Sequence, residues 1–146
     1  MKISDLNKAL NELAEKRNQL AAVSYSDTRY DDMEEELHDI EDDFLEEYGS
    51  YMEKVLNEVH DRDFPESDVL SPIAYLAKKY VPKSTHSNGR VDYNIPVKDG
   101  VWVEAFALPN KNVRLVLLPN PPRLVMNFEN GQQKEVWSAS QEHAKA

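Results

Sequence analysis

Glu35-Glu36-Leu37-His38 sets a carboxylate and an imidazole three residues apart, the spacing that places two metal ligands on one helix face in di-iron bundles. Such a centre needs the motif twice, together with two further Glu-bearing helices. The other helical histidine, His60, has Asn57 rather than Glu at that spacing, and the periodicity supports only two long helices, so no metal is expected. An EF-hand is excluded because the Asp-rich run lacks the Gly of the sixth loop position and repeats like a helix. The remaining histidines, His86 and His143, fall in a loop and in the C-terminal tail. No Ser, Thr or Lys occupies a nucleophile elbow, and the four glycines build neither a phosphate loop nor a dinucleotide fingerprint. Only His86, in STHSNGR, lies in the kind of loop that often carries function. Catalysis therefore has little support and no cofactor is indicated.

His38 is embedded in YDDMEEELHDIEDDFLEEY, residues 30–48, where eleven of nineteen residues are carboxylates and none is Lys or Arg. Like charges four apart cost about 0.2–0.5 kcal/mol per pair in isolated helices, so this density exceeds what solubility asks for. Either the face is simply solvated, or Lys8, Lys16 and Arg17 of the preceding helix compensate it, or a basic partner does. Asp31, Glu35, Asp39, Asp42 and Glu46 form one strip, with Asp32, Glu36 and Asp43 beside it. The first five are the candidate partner-binding carboxylates.

The acid is confined to one half of the chain. Residues 1–63 hold 19 Asp or Glu against 7 Lys or Arg, and residues 64–146 hold 8 against 10, within a total of −10. With a pI near 4.8, direct nucleic-acid binding and attachment to anionic membranes are disfavoured, since both require basic patches. A basic protein partner, or self-association, remains open. The first sixteen residues interrupt every apolar run with Lys or Glu, so no secretory leader is expected, and no stretch approaches the ~20 apolar residues of a membrane span. Absence of cysteine agrees with a reducing compartment, and a cytoplasmic location is the expectation.

The elements follow from the spacing of apolar residues. Ile3, Leu6, Leu10, Leu13, Arg17 and Leu20 recur at steps of three and four, as do Tyr30, Met33, Leu37, Ile40 and Phe44; both read as helices. The second stripe continues to Val59, relaxing from a heptad toward the 3.6-residue period, and predicts a rod over about residues 28–62, with Thr28 as N-cap and Asp31 at N3. Packed as an antiparallel hairpin, this rod outruns the first helix, and the surplus seam suggests a homo-oligomer. Gly49 marks a kink or a close approach. Pro65 ends the rod, and Ser71-Pro72 opens a third helix of about ten residues.

From residue 91 the period becomes two. Val91 to Val97 and Val101 to Ala107 are predicted to pair across a Lys98-Asp99-Gly100 loop, followed by strands over 112–118, 123–128 and 133–138, joined by PNPP and by Asn130-Gly131. Trp102, Phe106 and Leu108 then share the face opposite the Val/Tyr/Ile set. That face is either covered or an aromatic docking patch, which makes Trp102 and Phe106 the remaining candidate partner-binding residues. Phe128 and Trp137 carry the same ambiguity.

The reading is α+β, a single domain over residues 1–146: a long acidic antiparallel helical hairpin (1–63), a short third helix, and an antiparallel meander of about five strands. The expected role is a non-catalytic protein-interaction or assembly module. Its alternatives are a small enzyme or ligand-binding domain with a pocket between sheet and helix, and an acidic nucleic-acid mimic that binds a basic protein.

Overall fold

The structure, a computed structural model, describes residues 2–104 and 112–139. The α+β class is as expected. Helices α1 (Ile3–Ala21) and α2 (Tyr30–Asp63) form the hairpin and are followed by a 3-10 turn (Pro72–Tyr75). Six antiparallel strands complete the chain: β1 (Val81–Thr85), β2 (Val91–Asn94), β3 (Val101–Val103), β4 (Val113–Leu118), β5 (Arg123–Phe128) and β6 (Gln133–Ser138). Strands β1 and β2 form one sheet, and β3-β4-β5-β6 is a four-stranded meander.

The helical stripes act as their spacing implies. Leu6, Leu10 and Leu13 of α1 meet Leu37 and Phe44 of α2 in one core cluster, while Tyr48, Met52, Val55, Leu56 and Val59 continue α2 into the same cluster. That cluster also holds Val113, Leu115 and Leu117 of β4, Leu124 and Met126 of β5, and Trp137 of β6. The part of α2 that outruns α1 is thus buried on the sheet, and the surplus-seam argument for a second copy falls away. Gly49 is buried, with only Leu45 near the place a side chain would take.

Thr28 does not cap α2. Helix α2 starts at Tyr30 without a side-chain cap on its N-cap residue, Arg29. Asp27 organises the entry instead: one carboxylate oxygen accepts the Arg29 backbone N–H at 2.8 Å, and both oxygens clamp its guanidinium at 3.2 and 3.1 Å. The Arg29 side chain in turn holds the Asp27 carboxyl below its ordinary range.

The third helical element is four residues long rather than about ten. Tyr75, Leu76 and Ala77 are buried in succession. Three consecutive helical residues fan over about 200°, so a helix lying on the surface would turn one of them out. The chain straightens at Leu76, and side chains take the donors a helix would have used: Tyr80 Oη accepts Ala77 N–H at 2.9 Å, and Asp99 accepts Lys78 N–H at 2.9 Å.

Strand β2 pairs with β1, a segment whose five residues are all exposed, and not with β3. The predicted hairpin loop at Lys98-Asp99-Gly100 is instead a crossing from one sheet to the other. Gly100 has the expected positive φ of 89°, but here the reason is also clearance: a Cβ would clash with the Leu115 carbonyl oxygen. Strands β4 to β6 have the expected bounds to within a residue, whereas β3 covers Val101–Val103 and not the span to Ala107, and Asn130-Gly131 turns β5 into β6 with Gly131 at φ 87°. Residues 105–111, with Phe106 and Leu108, lie outside the described residues, as does the tail from 140.

The second face of the meander is also covered over β4 and β5. Val116, Leu118 and Val125 pack with Ala77, Tyr80, Tyr93, Ile95 and Ala14 in a second cluster. Above that cluster, side chains of the meander hold alternate carbonyls of the covering segment. Arg123 Nη2 donates to Val91 O at 2.8 Å, Gln133 Nε2 to Tyr93 O at 3.0 Å, and Asn127 Nδ2 to Ile95 O at 3.3 Å.

The PNPP turn ties this layer to α1. Asn120, at φ 63°, precedes a cis proline peptide, and its side-chain amide reaches two segments, α1 and β2. Its Oδ1 accepts from Asn7 and Asn11 at 3.0 and 2.8 Å, and its Nδ2 donates to Asn11 Oδ1 and to Tyr93 Oη, each at 2.8 Å. Asn7 Oδ1 accepts the Asn120 backbone N–H at 2.7 Å.

Candidate functional site

The acidic helix separates into two populations of carboxylate. Glu36 accepts from Lys16 Nζ at 2.7 Å, and the nearly buried Glu41 takes Arg17 Nη2 at 2.6 Å. Arg17 also donates to Ala77 O at 3.3 Å, which joins the hairpin to the second layer. Two of the three cations expected to compensate the helix therefore do so, while Lys8 makes no ion pair among the described residues. Lys16 is held above its ordinary pKa, chiefly by its hydrogen bond to Glu36. Asp31, Glu35, Asp39, Asp42 and Glu46 are all exposed, and among the described residues none forms an ion pair or a side-chain hydrogen bond. All five lie on α2, as the spacing implied.

Trp102 does not join that strip. It sits on β3 opposite Arg114, 52% exposed, on the outer side of the meander. Its neighbours in sequence, Val101 and Val103, point into the helix-side core. The other aromatic candidates divide differently: Trp137 is buried with its ring 6.3 Å from Tyr51, and Phe128 is partly buried against the same core. The aromatic patch is thus reduced, among the described residues, to Trp102 at one edge.

The histidines occupy unrelated settings. His60, 1% exposed, faces Ser67 O through Nδ1 at 3.0 Å and Tyr75 Oη through Nε2 at 2.9 Å. A carbonyl can only accept, so Nδ1 carries the hydrogen and Nε2 accepts from the tyrosine, whose oxygen takes Leu70 N–H at 3.1 Å. Burial raises the Tyr75 phenol above its ordinary pKa, and this ring pair pins the segment after α2 rather than facing solvent. His86 Nε2 lies 2.8 Å from Asp92 Oδ2, which also accepts from Ser84 Oγ at 3.1 Å, on the exposed β1–β2 hairpin. The His86 contact is the main cause that lowers the Asp92 pKa. His38 lies exposed beside Glu35, and among the described residues no group of three or more His, Asp or Glu is placed to hold a metal.

Leu115, Leu117 and Leu124 are buried where the meander meets the helices, and concavities open around that contact, among them one of about 580 Å³ between Asn7 of α1 and Glu135 and Ser138 of β6. One cleft of about 380 Å³ opens at the mouth of the helical hairpin, over Leu20 and Leu37, with Arg17, Glu34, His38 and Lys78 at its walls. A wider one of about 690 Å³ separates the β1–β2 hairpin from the β5–β6 turn. Its charged walls, Lys83, Arg90, Arg123 and Lys134, were not singled out by sequence reasoning. The available signal was weak: isolated cations in the less acidic half of the chain, with Arg123 hidden in the apolar run RLVMNF. Comparison with protein-family models, with curated proteins and with solved structures returns no match.

Proposed function

We propose that the protein is a non-catalytic interaction module whose docking surface is the outer strip of α2, and that its partner presents a basic protein surface. One observation carries this reading. On a single helix, the carboxylates that α1 can reach are neutralised by Lys16 and Arg17, whereas Asp31, Glu35, Asp39, Asp42 and Glu46 stand exposed and unpaired. Five acids at successive turns raise the local potential and steer an oppositely charged partner, with an affinity and on-rate that fall as salt rises. No helix of the described residues is long and apolar enough to cross a membrane.

The experiment is capture from cell extract with the full chain at low salt, against a variant in which the five acids become Asn or Gln. A partner held by the first bait, lost from the second and released by about 0.5 M salt supports the proposal. Capture that is equal for both baits, or no salt-sensitive partner at all, refutes it. DNA added as competitor separates the nucleic-acid-mimic form of the idea: displacement of the partner identifies it as a nucleic-acid binder.

A further inference from the structure

The cleft between the β1–β2 hairpin and the β5–β6 turn has a charge arrangement that its own residues do not close. Its volume, about 690 Å³, falls in the 300–1,000 Å³ range of small-ligand sites. Asp92 Oδ1 stands 3.4 Å from Arg90 Nε and 3.9 Å from Arg123 Nη2, and Glu135 Oε1 stands 3.6 Å from Arg90 Nη1. All three contacts are ion pairs, and none of them is a hydrogen bond. The Arg90 guanidinium therefore donates no hydrogen bond among the described residues, and Glu135 Oε1 is buried without one.

Asp92 has little more to give, because its other oxygen is taken by His86 and Ser84. Arg123 is 1% exposed and spends its Nη groups on the carbonyls of Pro119, Pro121 and Val91, while its Nε has no partner. Burial first, and then the like charge of Arg90, lower its pKa. Two guanidiniums thus share one carboxylate oxygen, and Lys83 of β1 and Lys134 of β6 line the same cleft without ion pairs among the described residues. A local surplus of positive charge sits in a chain of net charge −10.

We propose that this cleft binds a small phosphate-bearing molecule, with Arg90 as the bidentate donor and Lys83 and Lys134 completing the charge. Three accessible cations suit a multiply charged oxyanion better than a single carboxylate, and the fork of Arg90 matches two oxygens of a phosphate. Long polyanions are disfavoured by the acidic helical half, which repels them.

The test is amide and arginine-side-chain NMR on the full chain, titrated with inorganic phosphate at constant ionic strength, with acetate as the second arm. Saturable shifts at Gly131, Gln132, Lys134 and the Arg90 Nε–H are expected. Affinity should fall tenfold or more in a Lys83→Ala/Lys134→Ala double variant, and saturation should disappear in Arg90→Gln; the spectra themselves report that each variant is folded. Shifts that never saturate, or that spread equally to Lys8, Lys54, Lys78 and Lys79, overturn the proposal. Wild-type affinity in the double variant does so as well. Equal response to acetate removes the assignment to phosphate. The same amides moving with protein concentration alone would show that another copy, and not a small molecule, fills the cleft.

Discussion

The two faces of the meander are covered by different physics. On one side α1 and α2 bring leucines, valines and aromatics against Val113, Leu115, Leu117 and Leu124, and the centre of the contact is apolar, with polar bonds such as Arg62 Nη2 to Val136 O at its margin. On the other side a few apolar residues meet around Tyr80 and Tyr93, and the covering strand is fastened by Arg123, Asn127 and Gln133 through its carbonyls. Apolar burial is non-directional and tolerates repacking; fastening by hydrogen bonds is directional and fails one partner at a time.

The largest effect should come from the helix side. Leu115→Ala, at a residue with no solvent exposure, is expected to cost about 2–5 kcal/mol of global stability, read from the midpoint of urea unfolding. A loss below 1 kcal/mol would mean that the helices and meander are not the main core. Next in size is Tyr80→Phe. Its hydroxyl donates to Leu117 O at 2.8 Å and accepts Ala77 N–H, so removal leaves two buried groups unpaired and should cost about 1–3 kcal/mol. Burial also raises the Tyr80 phenol above its ordinary pKa. Its stabilising contribution is present in full below about pH 10, the unfolded value, and is lost as pH rises toward the folded one. The variant should therefore show a shallower alkaline loss of stability than the parent.

A smaller effect, and a local one, is expected for Gln133→Ala. About 1 kcal/mol should be lost from the β1–β2 layer, seen as faster amide exchange at Tyr93 and Ile95 while Leu115 is unaffected. Equal acceleration in both layers would erase the distinction between them. Asp92 gives the corresponding pH test. Its carboxyl pKa is lowered, first by the His86 contact, so its support of the hairpin is present above the ordinary Asp value of about 3.9 and is lost as pH falls through the lowered one. Hairpin amides should loosen in that acidic window before those of the helices. The smallest change in stability belongs to Asp39→Lys with Asp42→Lys: relief of like charge should add a few tenths of a kcal/mol while partner capture is lost.

The same contrast explains what could be read from the sequence. Stripes of Leu, Ile and Val at three and four, and alternation in the meander, are periodic signals of one-sided burial; α1, α2 and β4 to β6 were legible from them. The run VRLVLL also signals burial on both faces of β4, but nothing in it says which segment supplies the second cover. That cover is made by polar side chains reaching backbone carbonyls, and an Asn or Gln in a strand looks alike whether it meets water or a carbonyl. The misplaced pairing of β2 and the overlong third helix share this cause. Of the candidate site, the acidic strip was legible because helical spacing alone decides which acids share a face. The cations of the cleft were not, because Lys83, Arg90, Arg123 and Lys134 come from four positions that only the tertiary fold assembles.

Asn120 has a further consequence, in the order of events during synthesis. Its amide partners Asn7 and Asn11 lie 113 and 109 positions earlier in the chain. Helix α1 is made before the meander, yet these asparagines have no amide to hold until the turn after β4 has been made as well. Loop closure over that span costs more entropy than any local pairing in the meander, so docking of the first helix is completed after the turn that receives it has formed. Helix α1 precedes the meander in translation and follows it in attachment.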